Sequence, residues 1–240
     1  MKLSRRRVWA IVRKELREYR RNRSLVWSMA IFPLIFCIQP LVAVVILTAS
    51  ASGSLAHEHV LLYVLGIPAF VPVFIAAHAV AGERQQGTLE PALTTPITRD
   101  EFLLGKALAA LVPSLAVAYA TYALFLGLVL LFAQQGVASA LIQGPDLLAQ
   151  VLFTPLLATW TIWVGMGVST RSSDARVAQQ LGVLASLPPV FVVVLIAVNV
   201  IPATLGLAFG GAAVLLVLDV LGWRITSRLF DRERLITGSR

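Results

Sequence analysis

VAQQLGVLASLPPVFVVVLIAVNVIPATLGLAFGGAAVLLVL, residues 177–218, runs for 42 residues without a charged side chain. A helix crosses a hydrocarbon core about 30 Å thick with roughly 20 apolar residues, so this stretch is twice what one crossing needs. Its strong break at a suitable place is Asn199-Val-Ile-Pro202, where a turn former and a proline interrupt the run. The stretch therefore reads as a hairpin of two membrane spans.

The rest of the chain repeats the pattern. Residues 24–56 carry neither charge nor histidine, and residues 107–145 and 147–170 carry no charge. Only 13% of the 240 residues are charged, against about 25% in a soluble domain, which makes lipid the solvent for most of the surface. Six spans follow, at about residues 25–48, 60–81, 100–133, 147–169, 177–199 and 203–223. The polar stretch after residue 133 (Gln134, Gln135, Gly136, then Gln143-Gly-Pro145) reads as a loop. The expected fold is an all-α integral membrane protein in three parts: a basic amphipathic helix over 1–24, a single six-helix membrane domain over 25–223, and a basic tail over 224–240.

Orientation follows from lysine and arginine, which short translocated loops exclude. Residues 1–24 hold ten of them, 82–106 three, 170–176 two and 223–240 five, which accounts for all 20. Every basic residue thus falls on one side if both termini are cytoplasmic, and a change of one span would destroy the partition. The net charge of +8 is on this reading an orientation signal, not a nucleic-acid surface.

Within residues 1–24, Val8, Val12, Leu16 and Tyr19 recur at helical spacing with Trp9 beside them, and Arg6, Arg13, Arg17, Arg20 and Arg21 fill the other faces. These residues form an amphipathic helix suited to the membrane interface. They serve equally as a plain basic flank. The basic start leads into an apolar run too long for a signal peptide, so no cleavage is expected. Cys37 has no partner cysteine and reads as a small apolar residue.

Between spans two and three lies a charged island, GERQQGTLEPALTTPITRDEFLLGK, residues 82–106. Gly87 can adopt the left-handed conformation that ends a helix, and Thr88 can cap a new short helix opening with Glu90 and Pro91. Thr95-Pro96 stops that helix, because the residue before a proline is pushed out of helical geometry. Thr98-Arg-Asp-Glu101 is then a capping box that opens span three. A simple connection needs only about 2–8 residues, so the island reads as a structured elbow.

This island resembles the signature of permease subunits of the type 2 ATP-binding-cassette (ABC-2) exporters, in which an E-R-x-x-G-T-L-E core precedes a T-P and a G-K. The matching positions are Glu83, Arg84, Gly87, Thr88, Leu89, Glu90, Thr95, Pro96, Gly105 and Lys106. The six-span layout agrees over essentially the whole chain. The resemblance implies that residues 87–93 are a coupling helix seated on a separate cytoplasmic ATPase subunit, with Glu83, Arg84, Gly87, Thr88, Leu89, Glu90 and Leu93 as its contacts. It also implies a second permease copy in a homo- or heterodimer, and ATP and magnesium bound by the ATPase subunit. Spans two and five would line the dimer centre, which makes Pro68, Phe70, Pro72, Phe74, Gln179, Gln180, Pro188, Pro189 and Phe191 candidates for the substrate path. One departure stands out: residues 199–202 leave too little chain for the re-entrant hairpin many members carry between spans five and six, unless span five breaks at Pro188-Pro189.

Enzymatic readings find little footing. A phosphate-binding loop needs G-x-x-x-x-G-K-[ST], but Gly105-Lys106 is followed by Ala107 and lacks the earlier glycine. No cofactor is expected on this chain, and ATP hydrolysis belongs to another. Neither H-E-x-x-H nor G-x-S-x-G occurs. His57-Glu-His59 could ligate a metal but has no further ligand nearby. His78 and Asp219 fall near the basic ends of their spans, where snorkelling or an ion pair lowers the cost of a polar group. The Gly206-x-x-x-Gly210 pair offers a face for close helix packing.

The expected function is efflux of an apolar or amphipathic substrate by alternating access, driven from a partner ATPase. The competing class is an ion-coupled carrier or a membrane scaffold that needs no ATPase. Carriers usually show internal repeats, and no clear repeat is present.

Overall fold

The computed structural model describes residues 3–22, nine positions between 27 and 42, and residues 59–88, 97–133 and 135–230. Among the described residues all regular structure is helical. Helix α1 (Arg5–Arg21) comes first; a 3-10 segment (Val60–Leu65) then runs into α2 (Gly66–Ala76), followed by the short α3 (Ala81–Gln85). Next come α4 (Arg99–Phe132), α5 (Gln135–Leu141), α6 (Gly144–Arg171), α7 (Ala175–Ala197) and α8 (Leu205–Leu229). Five stretches are long and apolar enough to cross a bilayer: residues 60–85 taken together, α4, α6, α7 and α8. They answer to five of the six expected spans. The first, 25–48, lies mostly outside the described residues. Its nine described positions are all helical, with Met29, Pro33 and Cys37 buried and Ile31, Leu34, Ile35 and Ile38 exposed, the spacing of one helix face.

The span 60–85 is the hub. Nearly all of it is buried, and α4, α6 and α7 pack around it. Lipid tails are as apolar as leucine, so helix association here rests on close packing and hydrogen bonds. Small residues provide the packing: a Cβ on Gly165 of α6 would lie 2.8 Å from the Ala76 Cβ of the hub. The outward faces carry Leu130 and Phe132 on α4, Phe191 on α7 and Phe209 on α8, as lipid-facing helices do.

The hub is not the continuous helix expected over 60–81. It begins as a 3-10 turn and is interrupted at residues 77–80. Ser169 of α6 bridges that interruption: its hydroxyl accepts from the amides of Val80 (3.1 Å) and Ala81 (2.9 Å) and donates to the Ala77 carbonyl (2.6 Å). A neighbouring serine thus satisfies backbone groups that lipid could not.

Contacts sort the connections onto two ends. At one end lie α1, residues 82–88, residues 97–106, the 170–174 turn and the close of α8, linked by Ser4 to Glu101, Arg84 to Ser172 and Arg99 to Phe230. At the other, the His59 amide donates to the Ala197 carbonyl and the His59 ring pairs with Asp146. Thr98 forms the expected capping box with Glu101. Asn199 adopts a left-handed φ of 56° in the turn after α7, which asparagine tolerates. The connection over 198–204 holds no helix, and α7 runs unbroken through Pro188 and Pro189.

Three further expectations are corrected. The stretch after residue 133 is not a plain loop, because Val137 and Leu141 bury one side of α5 in the core. Helix α8 continues six residues past 223, held by Thr226 donating to the Trp163 carbonyl and Ser227 to Asp100, with Phe230 stacked on Phe102. Gly206 and Gly210 meet nothing within 4 Å among the described residues, so they pack against none of the described helices.

Candidate functional site: a charge cluster at the root of the elbow

The elbow residues that the structure describes grow out of a buried knot of charge. Helix α1 lies along α4, and its inward face is Ile11, Val12 and Glu15. Gly105 allows this approach, since a Cβ there would stand 2.7 Å from the Ile11 Cβ. One residue on, Lys106 is 2% exposed. Its ammonium donates to Glu15 Oε1 of α1 at 2.9 Å and to Glu83 Oε1 of α3 at 2.8 Å. Lys14 closes the ring from α1, 3.0 Å from the same Glu83 oxygen, and Tyr19 donates to Glu15 Oε2 at 3.1 Å. Two cations face two carboxylates, with Glu18 at the solvent edge 3.5 Å from Lys14. A cleft of about 390 Å³ opens beside them, bordered by Tyr19, His78, Gly82 and Gln86.

The balance of charges decides the protonation of α1. Burial would raise the Glu15 carboxyl, but the charge and hydrogen bond of Lys106, joined by Lys14 and Tyr19, hold it below its ordinary 4.5. Half-burial would lower the Lys14 ammonium, but Glu83 and Glu15 outweigh it and push it up. Burial, with Glu15 beside it, raises Tyr19 well above its usual value. Charges buried at this depth persist only when paired, so the cluster is a lock between α1, the hub and α4.

The neighbouring signature residues have equally local partners. Arg84 donates to the carbonyls of Ser172 (2.9 Å) and Thr170 (3.4 Å), tying the elbow to the turn before α7. Gly87 takes φ +67°, the left-handed geometry the sequence demanded. Thr88 donates back to the Glu83 carbonyl from both its amide and its hydroxyl. Glu101 accepts from the Ser4 amide at 2.8 Å and pairs with Arg7 at 2.9 Å. Of the proposed ATPase contacts, Glu83 is turned inward at 6% exposure, and Gly87 is exposed. Leu89, Glu90 and Leu93, with Thr95 and Pro96, lie outside the described residues.

The path candidates divide. Pro68, Phe70, Pro72 and Phe74 are buried in the hub, inside the bundle of one chain. On α7, Gln180, Pro188 and Phe191 are exposed while Gln179 and Pro189 are half-buried. The two groups therefore share no open surface, although α7 packs on the hub where Gly182 meets Val73.

The lone polar residues also find places. His78 Nδ1 sits 2.8 Å from the Phe74 carbonyl one turn back. Asp219 makes no ion pair among the described residues, and its Oδ1 is buried without a partner there. His59 pairs with Asp146, and no group of three metal-ligating side chains occurs among the described residues; His57 lies outside them. Sequence reasoning missed Glu15 and Asp146. Glu15 did leave a signal, a carboxylate at i+4 from Ile11 inside the apolar face of α1.

Five long apolar helices with a neutralised charge lock at one end define a multi-pass membrane protein. A family model described as ABC-2 family transporter protein matches residues 9–227. The chain belongs to the ABC-2 family of transporter proteins, and by class it is a membrane transport protein. Over 106 residues it is 35% identical to the probable ABC transporter permease protein NosY of Stutzerimonas stutzeri. That match covers 41% of this chain and 37% of the length of that protein.

Proposed function

We infer that the chain is the membrane half of an ATP-driven exporter. The end carrying α1 and the elbow faces the cytoplasm, so both termini are inside. Residues 25–48 supply a sixth span. Residues 87–93 seat on a separate ATP-binding-cassette subunit, which binds ATP and magnesium, and a second permease copy completes the assembly. Closure of the ATPase pair tilts the spans, and an apolar or amphipathic substrate moves outward by alternating access.

The observation that carries this reading is the anchoring of the elbow root on two sides. Glu83 is gripped by Lys106 and Lys14, and Arg84 holds the carbonyls of residues 170 and 172. A lever transmits force only if its root is stiff, and this one joins α1, the hub, α4 and α6. The basic-residue partition supports the sidedness, and the family supports the ATPase partner.

The test uses the permease with its ATPase partner. Glu90→Lys is expected to abolish both transport and cross-linking to the ATPase from a cysteine placed at residue 89 or 93, and deletion of residues 88–93 to abolish transport, while membrane insertion stays normal in both. Normal transport in the deletion refutes the lever. Transport that persists without any ATPase and collapses with the proton gradient identifies an ion-coupled carrier instead.

A further inference from the structure

The sequence casts the apolar stripe of α1 as its lipid-facing side, but the structure spends that stripe on the protein. Ile11, Val12 and Glu15 are its buried face. The helix lies across one end of the bundle: the Ser4 amide donates to Glu101 at its start, and Arg21 borders the cleft with Gly82 and Gln86 at its close. What faces away from the bundle is a row of arginines.

Arg6, Arg13, Arg17, Arg20 and Arg21 are all exposed. With 3.6 residues per turn they fall in a sector of about 100° opposite Glu15, in a row about 22 Å long. A shallow groove of about 580 Å³ runs beside the row and is lined in part by Trp9 and Ala10. The ion pairs of the helix belong to Arg7, Lys14, Glu15 and Glu18. None of the five outward arginines has an ion partner among the described residues. Arg13, Arg17 and Arg21 stand one turn apart, and like charges at that spacing destabilise a helix. An anion shared between them removes the cost.

The type of cation and its height narrow the anion. Lysine occurs once in α1, at Lys14, which reaches the lock carboxylate Glu83, whereas each cation of the outward row is arginine. An ammonium is a point charge, but the planar guanidinium fork matches phosphate oxygens two at a time. Lys106 is the last charge before the uncharged run of α4, so its bond to Glu15 pins α1 at the height where the hydrocarbon begins. At one edge of the row Trp9 is 53% exposed, with the Arg13 guanidinium 5.7 Å from its ring centre. Tryptophan concentrates at the level of lipid headgroups, which favours a lipid phosphate over an acidic protein surface.

We propose that the outward face of α1 is a headgroup site for anionic phospholipid, in which Arg6, Arg13 and Arg17 hold phosphate oxygens and Trp9 rests among the headgroups. The helix then meets lipid with its charged side and not its apolar one, and its hold is electrostatic. This site needs only a bilayer beside the bundle, so it stands whether or not the transport reading does.

The test is thermal unfolding of the purified full chain in detergent micelles, followed by tryptophan fluorescence, as phosphatidylglycerol or phosphatidylcholine is added at low salt. Phosphatidylglycerol is expected to raise the midpoint saturably, because a ligand that binds only the folded state stabilises it; phosphatidylcholine is not. Salt at about 1 M, where the screening length is ~3 Å, should remove most of the difference. In the triple variant Arg6→Gln, Arg13→Gln, Arg17→Gln the lipid needed for half the response rises at least about tenfold, since each basic residue near an anionic surface is worth about fivefold. The control Arg171→Gln, Arg176→Gln, Arg228→Gln removes the same charge from exposed positions off α1 and leaves the response nearly intact. Should the α1 triple variant not fold, Arg13→Gln, with a loss of about fivefold, decides. Equal responses to the two lipids, a response unchanged in the α1 variant or weakened equally in the control, or a response reproduced by inorganic phosphate overturns the proposal. So does an α1 variant that keeps its lipid response but no longer co-purifies with the ATPase subunit, which makes the face a protein dock.

Discussion

Replacing Lys106 by methionine isolates the energetics of the lock. Methionine matches the length of the lysine stem but also removes the ammonium that sits 5.1 Å over the Phe102 ring. What disappears is the charge between two carboxylates. At 2.8 and 2.9 Å each ion pair is worth about 6 kcal/mol of Coulomb energy at an effective dielectric of ~20, before desolvation is subtracted. Desolvation takes back most of that. The cost that survives is that of leaving buried carboxylates facing one another, about 3–5 kcal/mol for a broken buried pair. Lys14 still reaches Glu83 but is half-exposed, and offsets little. The expected result, read by denaturant titration in mixed micelles with tryptophan fluorescence, is therefore a loss of about 3–5 kcal/mol. Adding Glu15→Gln and Glu83→Gln to Lys106→Met should recover most of it, because a neutral set no longer holds uncompensated charge. The reasoning fails if Lys106→Met alone lies within ~1 kcal/mol of the parent, or if the neutral triple variant is no better than the single.

Two further predictions probe the same junction. Gly105→Val drives a side chain into Ile11, whose Cβ and Cγ2 would lie 2.7 and 2.8 Å away; α1 should lift from α4 at a cost of about 1–3 kcal/mol, seen as faster proteolysis within residues 5–21, and Ile11→Ala, which keeps the Cβ at 2.7 Å, should restore protection only in part. The lock also has a defined pH window. Glu15 has its folded pKa depressed, so its contribution is complete above its ordinary 4.5 and is lost as pH falls through the lower folded value. Lys14 is raised, so its share is complete below 10.5 and lost only above that. Hydrogen exchange in α1 should thus stay slow from neutral pH down to about 4.5 and quicken only in stronger acid. In Lys106→Met the quickening should begin at a higher pH, since burial then acts on Glu15 without its main counter-charge.

Much of the architecture was legible because lipid imposes a simple rule on sequence: long uncharged runs must be helices. Asn199 and Pro202 located the last turn, and Thr98 with Glu101 announced the start of α4 to the residue. Gly87 announced its own conformation. The hub was harder. Nothing between Ala77 and Val80 signals an interruption, because the residue that sustains it, Ser169, stands nearly ninety positions away in the chain. The charge lock was half visible. Glu83 and Lys106 were marked by the signature, but spacing along a chain does not reveal whether a charged residue faces a partner protein or its own neighbours. Glu15 completed the answer from a helix that had been read as lying at the membrane surface. Asp146 carried no signal in the sequence, and only its burial and its pairing with His59 show that it faces inward.

The bridge formed by Ser169 confines how the elbow root can travel. Parting α6 from the interruption at residues 77–80 strips two amides and one carbonyl together, at about 1–3 kcal/mol apiece, whereas rotation about the hydroxyl leaves all three engaged. Arg84 adds the carbonyls of Thr170, in the last turn of α6, and Ser172, just beyond it, so the short helix α3 and the foot of α6 are joined at two places. A displacement of α3 is therefore shared between α6, through Ser169 and Arg84, and α4 and α1, through Glu83.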